Sequence, residues 1–314
     1  MEVEITSGGQ TSLKEVMETV KPEEVDQILS RQLGSLTFED REPINEEVHG
    51  VRCLAPTETA DMIKKSLMQL SEAIDAIRDK PGYNRSQELA LLPCYSSENG
   101  GAGTYVNTAD FRLKFLRCDL FDATKAAARL VSFLDILVYA FEGNEKFLVR
   151  PPRLSDLDNL ERAILKTGNF QLLPYRDRSG RRIFTALQNM GMHHNFLKTL
   201  PVLLYIMYVA TESVETQRKG LVVLFFASTV GNGGSNFDKI LPGPAHCELA
   251  RKFNESIPIR VVSVHVCFPD TIFYRLFRSF LLMSHFSSGT RFRFKTHTGK
   301  WTELQYQLMG FGIP

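Results

Sequence analysis

The chain has 314 residues, 43% hydrophobic and 23% charged, the composition of a soluble globular protein with enough apolar content for one large domain or two. Its net charge of +1 hides an asymmetry: residues 1–50 hold twelve acids against four bases, a balance of −8, which leaves +9 for the remainder. That excess is modest and carries no arginine-rich tract or finger motif, so nucleic acid is not an expected partner.

Five cysteines, odd in number and never spaced C-x-x-C, point to reduced thiols and to no metal. MEVEITSGG has neither a basic n-region nor an apolar h-region, so no secretory signal is expected. The longest apolar run, Phe196 to Ala210, contains Lys198 and falls about five residues short of a bilayer span. A cytoplasmic location follows as the expectation.

In chain order, residues 1–12 are short, polar and expected to be disordered. Leu13, Val16, Met17 and Val20 then share a helical face, and Pro22 opens a second helix through Leu33. Thr37, with Asp40 three residues on, is a capping start for a helix carrying Phe38, Ile44 and Val48. Thr57 to Arg78 is a fourth helix, with Met62, Leu67, Leu70, Ile74 and Ile77 apolar. The open faces of these early helices are acidic and show no chemistry. Pro81-Gly82 and SSENGGAGT (Ser96 to Thr104) read as loops. Two helices hinged near Asp119 follow, with Asp122 as N-cap of the second, and Pro151-Pro152 closes the helical front.

Beyond residue 165 the period changes. Asn169 to Leu173 and Arg181 to Leu187 read as strands joined by a glycine-bearing turn. Phe196 to Gln217 is a long buried helix, and LVVLFFA (Leu221 to Ala227) is a strand covered on both faces. A helix over Ala245 to Ser256 and a strand over Arg260 to Cys267 come next. Helix Pro269 to Met283, strand Arg291 to His297 and helix Trp301 to Met309 complete the order. The fold class is α/β: a mixed five-stranded sheet with right-handed crossovers, preceded by an all-helical region. Three segments are expected: 1–105, an acidic helical extension; 106–150, a helical subdomain; and 151–314, the sheet domain.

The helix Pro269 to Met283 has an apolar arc of roughly 200°, about twice what a helix lying on a core needs. From Thr271 to Thr302 there is no acid, while Arg275, Arg278, Arg291, Arg293, Lys295 and Lys300 stand among six phenylalanines. That pattern suits transient contact with an anionic membrane surface. The plain alternative is a wide core helix followed by a basic edge strand.

Catalytic patterns are weak. Gly231 to Asn236 lacks the third glycine of a dinucleotide loop and the G-K-[ST] of a P-loop. His193-His194 has no third ligand at metal spacing, and His265 reads as an interior histidine. Ser228 and Ser235 lie in no G-x-S-x-G elbow. No enzyme, cofactor or metal is expected. What remains is apolar surface that either fills a core or lines a cavity.

LKFLRCDLFDATKAAARLVSFLDI (Leu113 to Ile136), LLPYRDRSGRRIF (Leu172 to Phe184, with Asp177, Gly180 and Arg181 closing a hairpin), the strand entry at Arg218-Lys219-Gly220, SIPIRVVSVHVCFPDTIF (Ser256 to Phe273) and ELQYQLMGFGIP stand in the order of the CRAL-TRIO lipid-binding family, which the chain resembles from about Phe111 onward. The resemblance implies a non-enzymatic carrier or sensor whose pocket is closed by a gate helix, here residues 269–283, that opens at membranes. It implies ligand contacts from Phe184, Tyr205, Val223, Phe225, Val264, Val266, Phe273, Leu276, Phe277 and Phe280. Head-group contacts would come from Arg275 and Arg278, and the charge pattern adds Arg291, Arg293 and Lys295 to the expected membrane surface. Ile259 stands where phosphatidylinositol-transfer members carry glutamate, and Cys267-Phe268-Pro269 replaces N-A-P. A less polar hydrophobic molecule is therefore at least as well suited as a phospholipid. A regulatory module with a filled pocket, binding a protein partner through the acidic helices, is the alternative.

Overall fold

The computed structural model describes residues 22–92, 104–189, 196–228, 244–268, 272–284 and 288–314. The helix expected over Ser12 to Val20, the Gly231 to Asn236 loop and His193-His194 lie outside these residues.

The helical front begins with α1 (Pro22–Ser35) and α2 (Phe38–Val48). Thr37 caps α2, its hydroxyl accepting from the Asp40 N–H at 3.2 Å and donating to the Asp40 carboxylate at 2.7 Å. Phe38, expected among the apolar residues of this helix, is 70% exposed, whereas Glu47 and Val48 in its last turn are buried. In α3 (Ala60–Ala76), Thr59 is the N-cap and Leu70 and Ile74 are fully buried. The stretch expected to be a loop at Pro81-Gly82 instead opens α4 (Pro81–Ala90), with proline at the first turn, where its missing N–H costs nothing. Helices α5 (Ala109–Cys118) and α6 (Ala123–Ala140) follow, the latter capped by Asp122, and α7 (Asn159–Lys166) starts with an Asp158–Glu161 capping box.

Strands β1 (Phe170–Arg176) and β2 (Arg182–Asn189) form an antiparallel hairpin. The expected long helix is two: α8 (Phe196–Ala210) and α9 (Val214–Lys219). The break has a polar cause. Ser213 caps α9, and the Gln217 amide donates to the Thr211 carbonyl at 2.7 Å, so the freed backbone is satisfied locally.

The remainder is β3 (Leu221–Ser228), α10 (Pro244–Ser256), β4 (Val261–Phe268), α11 (Ile272–Ser284), a single turn α12 (Ser288–Arg291), β5 (Phe294–Thr298) and α13 (Trp301–Gly310). The last strand begins three residues later than expected, since 288–291 is helical. The sheet order is β1-β2-β3-β4-β5, with β2 to β5 parallel and β1 antiparallel. The fold is α/β with a mixed five-stranded sheet behind a helical front.

Register decides which side chains share a face. Phe184, Val223, Val264 and Phe294 form one cross-strand row, and Ala186, Phe225, Val266 and Thr296 the next. At the β2–β3 end these rows join a hydrophobic cluster with α6, α8 and α10, through Phe133, Leu203, Met207 and Phe253. At the β4–β5 end they meet α11 and α1 through Phe277, Leu282 and Val25. The opposite face packs Ile183, Val222, Leu224 and Cys267 on Leu304, Leu308 and Ile313. Both faces of β3 are thus covered, as its unbroken apolar run requires. The first cluster draws on residues before 105, between 106 and 150, and beyond 151, so one core runs through all three expected segments.

Candidate functional site

Helix α11 lies over the β4–β5 end of the sheet. Phe277 and Leu282 are buried in one cluster with Val264, Val266, Phe268 and Phe294. Arg275 is exposed, and Arg278 is partly covered. The side chains of Phe273, Leu276 and Phe280 lie outside the described residues. Of the other residues expected to touch a ligand, Phe184, Val223, Phe225, Val264, Val266 and Phe277 come together on this face of the sheet, with Tyr205 half-buried against the same core. The described apolar side chains of the helix meet both the sheet below and α1, where Val25 and Leu29 join the cluster.

The basic residues divide. Arg291 donates from Nε to the Leu282 carbonyl at 2.8 Å, closing the end of α11. Arg278 pairs with Asp26 of α1 at 3.0 Å. Arg293, expected at the membrane surface, is mostly covered. Its guanidinium meets the Glu47 carboxylate at 2.8 Å and the Val262 carbonyl at 2.9 Å. The reason is charge compensation, since Glu47 has no exposure at all and must be neutralised where it stands.

That carboxylate is the centre of an ion cluster the sequence did not announce. Glu47 accepts from Arg260 at 2.6 Å, from Arg293 and from the Leu54 N–H at 3.0 Å. Burial pushes its pKa up, but Arg260 and Arg293 outweigh this and hold it below the ordinary carboxylate value. Next to it, Arg181 donates to Asp177 at 2.5 Å and to the Glu47 carbonyl. Asp177 also accepts the Arg181 N–H at 2.7 Å across a turn in which Gly180 takes φ +79°. A signal did exist: Glu47 follows Pro43 and Ile44 at helical spacing, so it occupies an inward position of α2. A carboxylate on an apolar stripe demands a partner.

Beside this cluster runs a hydrogen-bond chain. The Ser263 hydroxyl donates to His265 Nε2 at 3.0 Å, His265 Nδ1 donates to His297 Nε2 at 2.9 Å, and His297 Nδ1 donates to Gln307 Oε1 at 3.2 Å. The Gln307 amide ends it on the Thr298 carbonyl at 2.9 Å, which fixes the direction of every proton. Both imidazoles are neutral in this arrangement. Burial, followed by the neighbouring His297, Arg181, Lys295 and His49, drives His265 down to about 3. Ser263 and His265 resemble a nucleophile–base pair in distance only; they are 0% and 1% exposed, so no substrate reaches them as they stand.

Along β5 a cleft of about 440 Å³ is lined by Arg278, Phe294, Lys295, Thr296, His297, Gln307 and Phe311. Lys295 lies half-buried there, its pKa lowered by burial. The walls of the cleft are mixed, and Phe294 is shared with the apolar row under α11. No grouping of His, Cys, Asp and Glu capable of holding a metal occurs among the described residues. Nor, among them, is any helix long and apolar enough to cross a membrane. A scan against protein-family models finds no match, and a search of curated proteins finds no relative.

Proposed function

We propose that this chain binds one hydrophobic small molecule or phospholipid against the apolar face of the sheet, beneath α11, and exchanges it at an anionic membrane surface without catalysis. The observation that carries this reading is a basic amphipathic helix roofing the apolar rows of β3 and β4, with Phe277 inward and Arg275 outward. The resemblance to CRAL-TRIO proteins supports it, since a gate helix between the last two strands is what that resemblance implies. Enclosing apolar ligand surface stabilises the complex by about 25 cal/mol per Å². A roof with apolar residues of its own lowers the cost of handing the ligand to a bilayer. The cytoplasm and the surfaces of its membranes are where such a carrier works.

The test is native mass spectrometry of gently purified protein, followed by uptake from a lipid extract. A bound hydrophobic species in one-to-one ratio supports the carrier. A clean apo mass before and after incubation overturns it.

A second reading, a regulatory module of the same fold with a filled pocket, is favoured by one fact: Val266 and Phe184, at 2% and 4% exposure, already lie within packed clusters.

A further inference from the structure

Helix α1 has no place in the carrier reading, yet it lies on the helix that reading depends on. Val25 is 2% exposed, and with Leu29 it sits in the cluster formed by Phe277, Leu282 and the β4 row. Asp26 reaches Arg278 at 3.0 Å across 252 residues of sequence. A helix of 14 residues is marginal on its own, so α1 owes its order to this docking.

We infer that α1 is an intramolecular strap that holds α11 closed and competes with an anionic membrane for the same basic helix; the inference rests on the carrier reading. Charge gives the competition its basis. Asp26 sets its carboxylate on Arg278, so α1 offers Arg278 what an anionic lipid surface would offer it. The Asp26–Arg278 pair is half in water, and pairs of that kind are weak and salt-screened, as suits a contact made to be broken.

The strap also has a fixed end. Only Leu36 and Thr37 separate α1 from α2, and α2 is pinned to the sheet by Glu47 through Arg260 and Arg293. Breaking a buried charge cluster is far harder than breaking a rim pair. Release therefore frees α1 while α2 stays in place, and re-docking is intramolecular and fast.

The test is flotation of the full chain with vesicles of phosphatidylcholine, with and without phosphatidylserine. Asp26→Asn should bind the phosphatidylserine vesicles roughly fivefold tighter than wild type, the factor one freed basic side chain contributes at an anionic surface. Val25→Asp, which undocks the apolar side, should bind at least as tightly. Glu23→Gln makes the same charge change on the same helix without touching Arg278, and should match wild type. If Val25→Asp does not fold, Asp26→Asn decides the matter, because the Asp26 side chain is 58% exposed.

Wild-type binding by Asp26→Asn, or an equal gain in Glu23→Gln, would overturn the strap. The carrier reading is read separately, from bound lipid in the same wild-type sample. A lipid-free protein with strap-sensitive vesicle binding keeps the strap and sinks the carrier. A loaded protein with strap-insensitive binding does the reverse.

Discussion

Glu47 is a carboxylate without exposure that faces two guanidiniums, and removing it leaves Arg260 and Arg293 charged and uncompensated in the interior. Glu47→Gln should destabilise the protein by about 3–5 kcal/mol, measured as a shift in the urea midpoint, since one partner of a buried pair is lost. A change below about 1 kcal/mol would mean that water reaches the cluster. The acid response has two windows of the same sign. Buried His265 stays neutral down to about 3, whereas in the unfolded chain it takes up a proton below about 6.5. Stability should therefore fall as pH drops below that value, by about 1.4 kcal/mol per unit for such a group. Glu47, whose folded pKa is depressed, contributes stability that is lost only below its ordinary 4.5, as pH falls through the folded value. Urea midpoints taken stepwise from neutral to mildly acidic pH should decline first in the histidine window, and His265→Gln should flatten that early slope.

At the scale of elements, α11 is held more firmly than its composition alone would indicate. Phe277 belongs to the core, so Phe277→Ala should cost about 3–5 kcal/mol as any large-to-small core change does. It is therefore no clean probe of membrane contact; Arg275 is exposed, and Arg275→Glu should weaken binding to anionic vesicles. The α9–β3 junction is another fixed point. Gly220 has φ +80°, and a Cβ there would stand 2.5 Å from the Val262 side chain and 2.7 Å from the Arg260 carbonyl. Gly220→Ala should destabilise by at least about 1–3 kcal/mol, through backbone strain and through displacement of the strand that carries Arg260.

The whole molecule is organised by the meeting of its acidic beginning and its basic end. Residues 1–50 carry −8, the rest +9, and α1 and α2 each place an acid on a base from the last third of the chain. The two attachments differ in kind. Truncation of residues 1–36 should leave a cooperatively folding protein, because the Glu47 cluster with Arg260 and Arg293 stays intact. Truncation of residues 1–54 removes Glu47 and should yield a protein that unfolds at much lower temperature or aggregates, with Arg260 and Arg293 left unpaired in the interior. Thermal unfolding of the two truncations, side by side, checks this.

Much of the fold was legible because it is written in neighbours. Thr37 and Asp122 cap their helices through side chains that reach three residues along, and Asp177 closes its turn on Arg181, four residues away. The unbroken apolar run of β3 matched a sheet covered on both faces, and the apolar arc of residues 269–283 exceeded what one core contact uses. Sequence could state that surplus but not say whether the core, a bilayer, a ligand or another part of the chain would take it up. Tertiary structure set Val25 and Leu29 of α1 beside Phe277 and Leu282, and Arg293 on Glu47 from 246 residues away. The physical reason is the range of the forces: caps, turns and periodicities act over a few residues, whereas the pairing of buried charges and the partner of an apolar face are settled only when distant segments share one interior.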